Sequence, residues 1–527
     1  MYKIDPKSWK EDLPAFREKT DAFYKGELKK NDYKGFSGLY GSYAQKGGEA
    51  SMLRLRMTAG RVTKEKMACI AENIRKYQVK RMHFTTCEAI QLHDLLPDAL
   101  YPIMESVFDA GIITMGGGGD FPRNVMCSPL SGVEQGEYFN VMPYAQIAGE
   151  YLMNFIKAEK MPRKLKVCFS NSPKNLPHAT FRDLGFVARE NGHFDVYSAG
   201  GLGNNARLGV KVAEDIEPAK ILYYIKAMWL TFRTYGNYEN RGKARTRYMQ
   251  EALGGPEKYV QAYTEKLEEV FASGEDLDIS SEDIEAYTLV ISKKVENAHD
   301  GELPEKFADG FHVIEQKQEG LYAVVWHPIG GQPDPEVFCK VSDQIQKIED
   351  AEMRMSPDES AYIINLTQAE AKEILTLIKE DTAQSIFEAS VSCIGAATCQ
   401  IGLRDSQKLL RSCIAAVKEA QIPTSVLPQI HISGCPSSCG THQIGSIGFR
   451  GAAKSVDGKS QSAYMLYVNG CEYQGKEVLG HEVGAILEEK IPAFLVEVGQ
   501  AVAASNMSFA EWNMQEHALE KIAEKYL

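Results

Sequence analysis

The chain has 527 residues, enough for three or four units at ~150 residues per domain. With 44% hydrophobic and 25% charged residues, 44 Gly and 21 Pro, its composition is that of a folded globular protein and excludes disordered, collagen-like and low-complexity classes. Lys+Arg 59 against Asp+Glu 71 gives −12, which disfavours nucleic-acid binding by bulk attraction. No apolar run approaches the ~18 residues that a membrane span needs. The opening MYKIDPKSWKEDLP is charged from its third residue and has no apolar signal core, so a cytoplasmic protein is expected.

Residues 1–45 are polar, rich in Lys and Tyr, and read as a wrapping extension. In 46–115, MLRLRM alternates as a strand, KEKMACIAENIRKY has helical spacing and RMHFTT is strand-like. In 116–264, helices such as PYAQIAGEYLMNFIKAEK mix with strands such as KLKVCFS and FDVYSAG. The stretch 265–310, with EKLEEVFASGEDLDISSEDIEAY, is acidic and reads as a helical, solvated connector. Segments 311–380 and 381–527 then run through the first two patterns again.

That recurrence is an internal repeat. MLRLRMTAG (52–60) resembles LYAVVWHPIG (321–330), and RMHFTTCEAIQLHDL (81–95) lies over EMRMSPDESAYIINL (352–366) at an offset of 271. NVMCSPLSGV (124–133) lies over SVSCIGAATC (390–399) at an offset of 266, with Cys127 on Cys393. MPRKLKVCFS (161–170) lies over LPQIHISGCP (427–436) at the same 266. The expected fold is α+β, internally duplicated with pseudo-twofold symmetry, and a ligand is expected between the halves.

Eleven cysteines are too few, and odd in number, for a disulfide scaffold. Seven are scattered, and four come as Cys393-IGAAT-Cys399 and Cys435-PSS-Cys439. The five-residue gap fits zinc knuckles poorly, whereas four thiolates from two loops suit an all-Cys [4Fe–4S] cluster. Gly395, Ala396, Ala397, Gly434, Ser437, Ser438 and Gly440 are small enough to let backbone N–H groups approach cluster sulfurs. A zinc site from the four thiolates, or from three of them with His442, stays open on spacing alone.

C-x5-C followed by SGCPSSCGTHQIGSIGFRG (433–451) resembles the siroheme/[4Fe–4S] nitrite and sulfite reductase family. The blocks LRLRMTAGRVT, TTCEAIQLH, RNVMC and PRKLK match the same family in the same order, so the resemblance covers about residues 35–500. It implies two ferredoxin-like half-domains (46–115 and 311–380) and two siroheme/[4Fe–4S] domains (116–264 and 381–527). It implies siroheme and a [4Fe–4S] cluster as cofactors, with Cys393, Cys399, Cys435 and Cys439 as cluster ligands and Cys439 bridging to the siroheme iron. The implied reaction is six-electron reduction of sulfite or nitrite, with electrons from a separate ferredoxin or flavoprotein, because no segment is left over for a flavin or NAD(P)H module.

An oxyanion at a polycarboxylate cofactor needs cations around it. Unaided, the RKLK run could be a solvated edge strand blunted by Lys. The resemblance places the four substrate-binding cations on Arg54, Arg123, Lys164 and Lys166, with Arg56, Arg163 and Gln91 serving siroheme or substrate positioning. On a strand, Lys164 and Lys166 would share a face. Lys164-Leu-Lys166 is closer to the sulfite-reducing branch, so sulfite is the expected preferred substrate, with nitrite also turned over. The chain departs from the family at Cys87 and His83, where Arg is common, which weakens the siroheme clamp on that edge.

Three further signals have alternative readings. Gly201–Ala206 imitates a dinucleotide fingerprint but lacks the acidic partner downstream, so a tight turn is expected. Gly116–Gly119 could cradle an anion through its N–H groups or be a flexible loop. RGKARTRYMQ (241–250) could be a solvated helix face, a donor-docking patch or a siroheme contact. Two rivals remain: a precorrin-3B synthase-like iron–sulfur enzyme, and a zinc-stabilised binding protein without turnover.

Overall fold

The computed structural model describes residues 4–294, 307–515 and 517–527, and the fold is α+β with four sheets among them. Residues 295–306 of the expected connector lie outside the described residues. The chain forms two compact units, one of Met1–Gly201, Arg207–Trp326 and Pro333–Glu380, the other of Leu202–Ala206, His327–Gln332 and Asp381–Leu527. Among the described residues no helix is long and apolar enough to cross a membrane.

The first unit holds three sheets. One is antiparallel, in the order Ser42–Ala44, Ser51–Arg56, Ala89–Leu95, Met82–Phe84. A second repeats it as Val313–Glu315, Tyr322–Trp326, Ala361–Leu366, Glu352–Met355, and takes Arg61–Val62 as an added edge strand. Each carries a helix whose buried positions recur at helical spacing. In Lys64–Tyr77 these are Met67, Ile70, Ala71 and Ile74; in Pro335–Ile345 they are Phe338, Val341, Ser342 and Ile345, at the same offset of 271. Thr63 and Asp334 cap the two helices. One hydrophobic core serves both sheets, with Phe84 edge-on to Trp326 at 5.5 Å, and Trp9, Leu13 and Phe16 of the N-terminal extension pack into it.

The third sheet runs Val210–Ile216, Phe194–Ser198, Leu184–Ala188, Val167–Ser170, Met126–Cys127. Its last two pairings are parallel and the others antiparallel. The sheet of the second unit has the same plan in Val391–Ser392, Ile430–Ser433, Ile447–Val456, Lys459–Val468 and His481–Leu487. Part of the expected solvated connector is in fact core: Leu277 and Ile279 are buried beside helices Ile221–Tyr235 and Pro256–Ala272.

The duplication extends to backbone conformation. Left-handed residues recur 271 apart, at Ala59 and Gly330, Glu88 and Glu359, and Asp94 and Asn365. Non-glycine residues rarely adopt this conformation, so its recurrence marks equivalent turns. In the second module the register differs from the one expected. Strands Val167–Ser170 and Ile430–Ser433, and the left-handed pairs Asn175/Ser438 and His178/Thr441, are 263 apart rather than 266. The equivalence of these strands stands, but the register along them slips by three residues. In the preceding two-residue strand the slip is one residue: Cys127 matches Ser392, 265 apart, and not Cys393.

Candidate active site

In the first unit, Arg54 lies directly across from Gln91 on the neighbouring strand, and His83 is next in the same row. The Gln91 amide, oriented so that both its ends are satisfied, accepts from Arg54 Nε (3.1 Å) and Nη2 (2.6 Å) and donates to His93 Nε2 (3.2 Å). Burial drives the His93 pKa well down, leaving a neutral ring that can accept this bond. Gln91 therefore orients Arg54. His83 Nε2 lies 3.7 Å from the buried Glu359 carboxylate, so the position that is often Arg in the family is here part of an internal contact.

Gly116–Gly119 is not an anion nest. Its four N–H groups donate to Leu39 O (2.6 Å), Thr114 O (2.9 Å), Gly38 O (2.9 Å) and Tyr43 Oη (2.6 Å). Its carbonyls instead collect guanidinium groups: Gly117 O accepts from both Arg54 and Arg123, and Gly119 O accepts from Arg123 at 2.7 Å. Arg56, almost fully buried, donates to the carbonyls of Met115 (2.9 Å), Pro122 (3.1 Å) and Arg123 (2.9 Å), which fixes the loop that presents Arg123. Burial and Arg123 pull the Arg56 pKa down to about 9, and burial and Arg54 pull Arg123 down to about 10. Cations crowded away from water in this way are relieved by a bound anion.

Lys164 and Lys166 precede the regular strand, which begins at Val167. They flank Leu165, which is buried and bridges Pro122, and the Arg123 N–H donates to Leu165 O at 2.8 Å. The backbone thus joins Arg123 to the two lysines. Lys166 N–H donates to Asp183 (2.8 Å), whose buried carboxylate also takes Arg245 at 2.9 Å and the Thr246 hydroxyl. Burial holds the Lys166 ammonium below the usual lysine range, with Cys87 opposing that shift. Arg163 is turned to Asp120 (2.7 Å), which also pairs with Arg241 (2.6 Å). Two guanidinium groups of the basic run 241–250 are thus paired within the unit.

Sequence reasoning missed Arg182, whose charge reaches both Cys87 and Lys166, and the role of Cys87. Cys87 Sγ is 3.1 Å from Lys166 Nζ. Its only sequence signal is the departure from Arg.

In the second unit the two cysteine loops are laced together. The N–H groups of Leu403 (3.1 Å) and Arg404 (2.9 Å) donate to Gly434 O, and Ala396 N–H donates to Arg404 O (2.9 Å). Gly434 N–H points at Cys393 Sγ at 3.2 Å. Glycine is required at Gly440, where a Cβ would overlap the Ile432 carbonyl and come within 3.3 Å of Cys393 N. Burial and the neighbouring Cys439 push the Cys393 thiol up to about 12, a charge conflict that cluster iron would remove. Cys439 is exposed, and Cys399 and Cys435 are half-buried. Small residues, a backbone N–H aimed at sulfur and loops held in register fit an all-thiolate cluster.

The single-ion alternative fares worse. Among the described residues no three His, Cys, Asp or Glu side chains converge to hold one metal ion. His442 is fully buried with its ring 4.8 Å from that of Tyr467, and burial, Arg450 and His431 bring its pKa down to about 3. The Gly201–Ala206 turn is also spoken for: the Gln443 amide accepts from Gly203 N (2.8 Å) and donates to Gly203 O (2.9 Å).

The first unit repeats the loop without thiols. Asn171 N–H donates to Ser128 Oγ at 3.2 Å, as Gly434 N–H does to Cys393 Sγ. Ser128 N–H donates to Phe169 O (3.1 Å), as Cys393 N–H does to Ile432 O (3.2 Å). Ser128, Ser172 and Leu176 therefore occupy the places of Cys393, Cys435 and Cys439, and only the second copy retains this thiol set.

The profile described as "Nitrite/Sulfite reductase ferredoxin-like half domain" matches residues 43–107, and "Nitrite and sulphite reductase 4Fe-4S domain" matches residues 118–271, the copy that carries Ser128. The chain is 24% identical over 444 residues to the ferredoxin–nitrite reductase of Synechococcus elongatus, covering 80% of each. It is 22% identical over 435 residues to sulfite reductase [ferredoxin] 1 of Mycolicibacterium paratuberculosis, covering 80% of this chain and 73% of that one. The NirA protein of Mycobacterium tuberculosis shares the fold at a TM-score of 0.75, with 19% identity over 98% of this chain and 95% of that chain. The chain carries the ferredoxin-like and 4Fe–4S domains of nitrite and sulfite reductases, a family that binds siroheme and a [4Fe–4S] cluster and draws electrons from an external donor.

Proposed function

We propose that this chain reduces sulfite to sulfide and nitrite to ammonia in six-electron steps. In this reading Cys393, Cys399, Cys435 and Cys439 would hold the cluster, with Cys439 as the ligand that would also serve siroheme. Arg54, Arg123, Lys164 and Lys166 bind the oxyanion. When bound, the cluster and siroheme would supply the electrons for reduction of the anion that these residues hold.

The observation that carries the reading is the crowding of half-buried guanidinium groups on the carbonyls of one loop, joined through Leu165 to two lysines. Such a group binds an oxyanion and stabilises charge on oxygen as it leaves. Gln91 and Arg56 act behind it, one orienting Arg54 and the other fixing the Arg123 loop. Departing oxygens need protons. Lys166, held below the usual lysine range by burial, is the best-placed proton donor of the set.

Sulfite takes on its second negative charge around neutral pH whereas nitrite stays a monoanion, so four cations favour sulfite in its dianionic form. The donor is a separate ferredoxin or flavoprotein. Steady-state assays with each anion and a reduced viologen as electron source test the reading, with sulfide and ammonia measured as products. Stoichiometric sulfide or ammonia is the expected result, and consumption of neither anion refutes it.

A further inference from the structure

Cys87 sits in the tight turn between strands Met82–Phe84 and Ala89–Leu95, next to Glu88 in the left-handed conformation. The turn is pinned from two sides. Thr85 Oγ1 accepts from Cys87 N–H, and Asn124 Nδ2 donates to Cys87 O at 3.1 Å. Asn124 adjoins Arg123, so the segment presenting that substrate cation also fixes the thiol. The thiol is half-buried, and its Sγ is 3.1 Å from Lys166 Nζ.

The charges around it are mostly positive. Burial alone would push the Cys87 thiol up, but Lys166, Arg182 and Lys164 outweigh it and bring the thiol down to about 6. Arg123 also feels its charge. The adjacent Glu88 carboxyl is driven well up by burial while it accepts the Cys127 N–H at 3.0 Å. A thiolate in this position is an anion built into a cation site.

Resting on the reductase reading above, we propose that Cys87 is a specificity-determining residue: its thiolate pairs with Lys166 and lowers the positive charge that the site offers to substrate. Repulsion from a fixed negative charge scales with the charge of the substrate, so the thiolate penalises dianionic sulfite more than monoanionic nitrite. It tempers the preference that the four cations impose and keeps nitrite competitive.

The test uses the full-chain enzyme as purified and has two readouts. The first is iodoacetamide alkylation of Cys87 against pH, followed by peptide mass spectrometry. The half-point should lie near pH 6 in wild type and move toward the ordinary thiol range in Lys166→Met. An ordinary half-point in both proteins, or no alkylation at any pH, overturns the ion pair and the proposal with it.

The second readout is kcat/KM for sulfite and nitrite in wild type, Cys87→Ser and Cys87→Asp. Cys87→Ser should raise the sulfite-to-nitrite ratio about tenfold, and Cys87→Asp, which keeps the negative charge, should hold it near wild type. Equal ratios in all three enzymes overturn the specificity role. A wild type that reduces neither anion overturns both the reductase reading and this role, and the alkylation profile then shows separately whether the ion pair exists.

Discussion

Gly440→Ala tests whether the cluster loop depends on backbone contact that only glycine permits. An added Cβ would overlap the Ile432 carbonyl oxygen, lie 2.8 Å from its carbon and stand 3.3 Å from Cys393 N. Both neighbours are backbone, one in the buried strand Ile430–Ser433 and the other just after the adjacent strand Val391–Ser392, so no side chain can swing aside. Restoring ordinary contact requires the loop to retreat by about 1 Å, which costs about 1–3 kcal/mol as overpacking. The retreat also strains the bond from Gly440 N–H to Ser433 Oγ, now 3.0 Å. Ligand distances at a metal site tolerate only about 0.2 Å, so a shift of that size beside Cys439 should lower cluster loading.

The assay is iron content per chain together with the thermal midpoint, which should fall by about 3–8 °C. Gly35→Ala is the control. It lies in helix Lys30–Ser37 with nothing within 4 Å of the new atom, so it should stabilise by about 0.5–1 kcal/mol and leave iron unchanged. Full iron content and an unchanged midpoint in Gly440→Ala would refute the packing argument.

Cys439→Ser should abolish turnover of both anions, whereas Cys413→Ser, buried in helix Ser406–Glu419, should retain activity and lose about 1–3 kcal/mol in urea unfolding. Equal activity loss in the two contradicts the ligand assignment. Arg56→Met strips donors from three carbonyls and should cost about 2–4 kcal/mol, with a raised KM as the Arg123 loop loosens. His442 is held neutral in the fold with its pKa near 3, below its unfolded value of 6.5, so its contribution is present above pH 6.5 and declines as pH falls. At pH 5 this amounts to about 2 kcal/mol, and urea titrations of His442→Phe should lack that portion of the acid loss.

Much of this architecture is legible in the sequence because its patterns are local. Met67, Ile70, Ala71 and Ile74 have helical spacing, and their counterparts 271 residues on bury the same face. The paired cysteines announce themselves by spacing. The register of the second module was less accessible because MPRKLKVCFS and LPQIHISGCP share few identities, and alternating apolar residues align nearly as well three places off. The strand pairings and left-handed residues fix the register, and the bond from Asn171 N–H to Ser128 Oγ, matched by that from Gly434 N–H to Cys393 Sγ, agrees with it.

The Gly116–Gly119 run misled for a different reason. Glycine frees the backbone without saying whether N–H or C=O will face the site, and here two guanidinium groups, Arg54 and Arg123, select its carbonyls. Lys164 and Lys166 owe their common side to Leu165 and its bridge to Pro122 rather than to a regular strand. The Cys87–Lys166 pair joins residues far apart in the chain, a contact that no local pattern encodes.

The most direct test of the central claim is the absorption spectrum and iron content of protein produced with siroheme supply and purified anaerobically, before and after reduction. The account predicts a chlorin-type siroheme spectrum that changes on reduction, with about four cluster irons per chain besides the siroheme iron. A colourless protein carrying zinc in place of iron would contradict it.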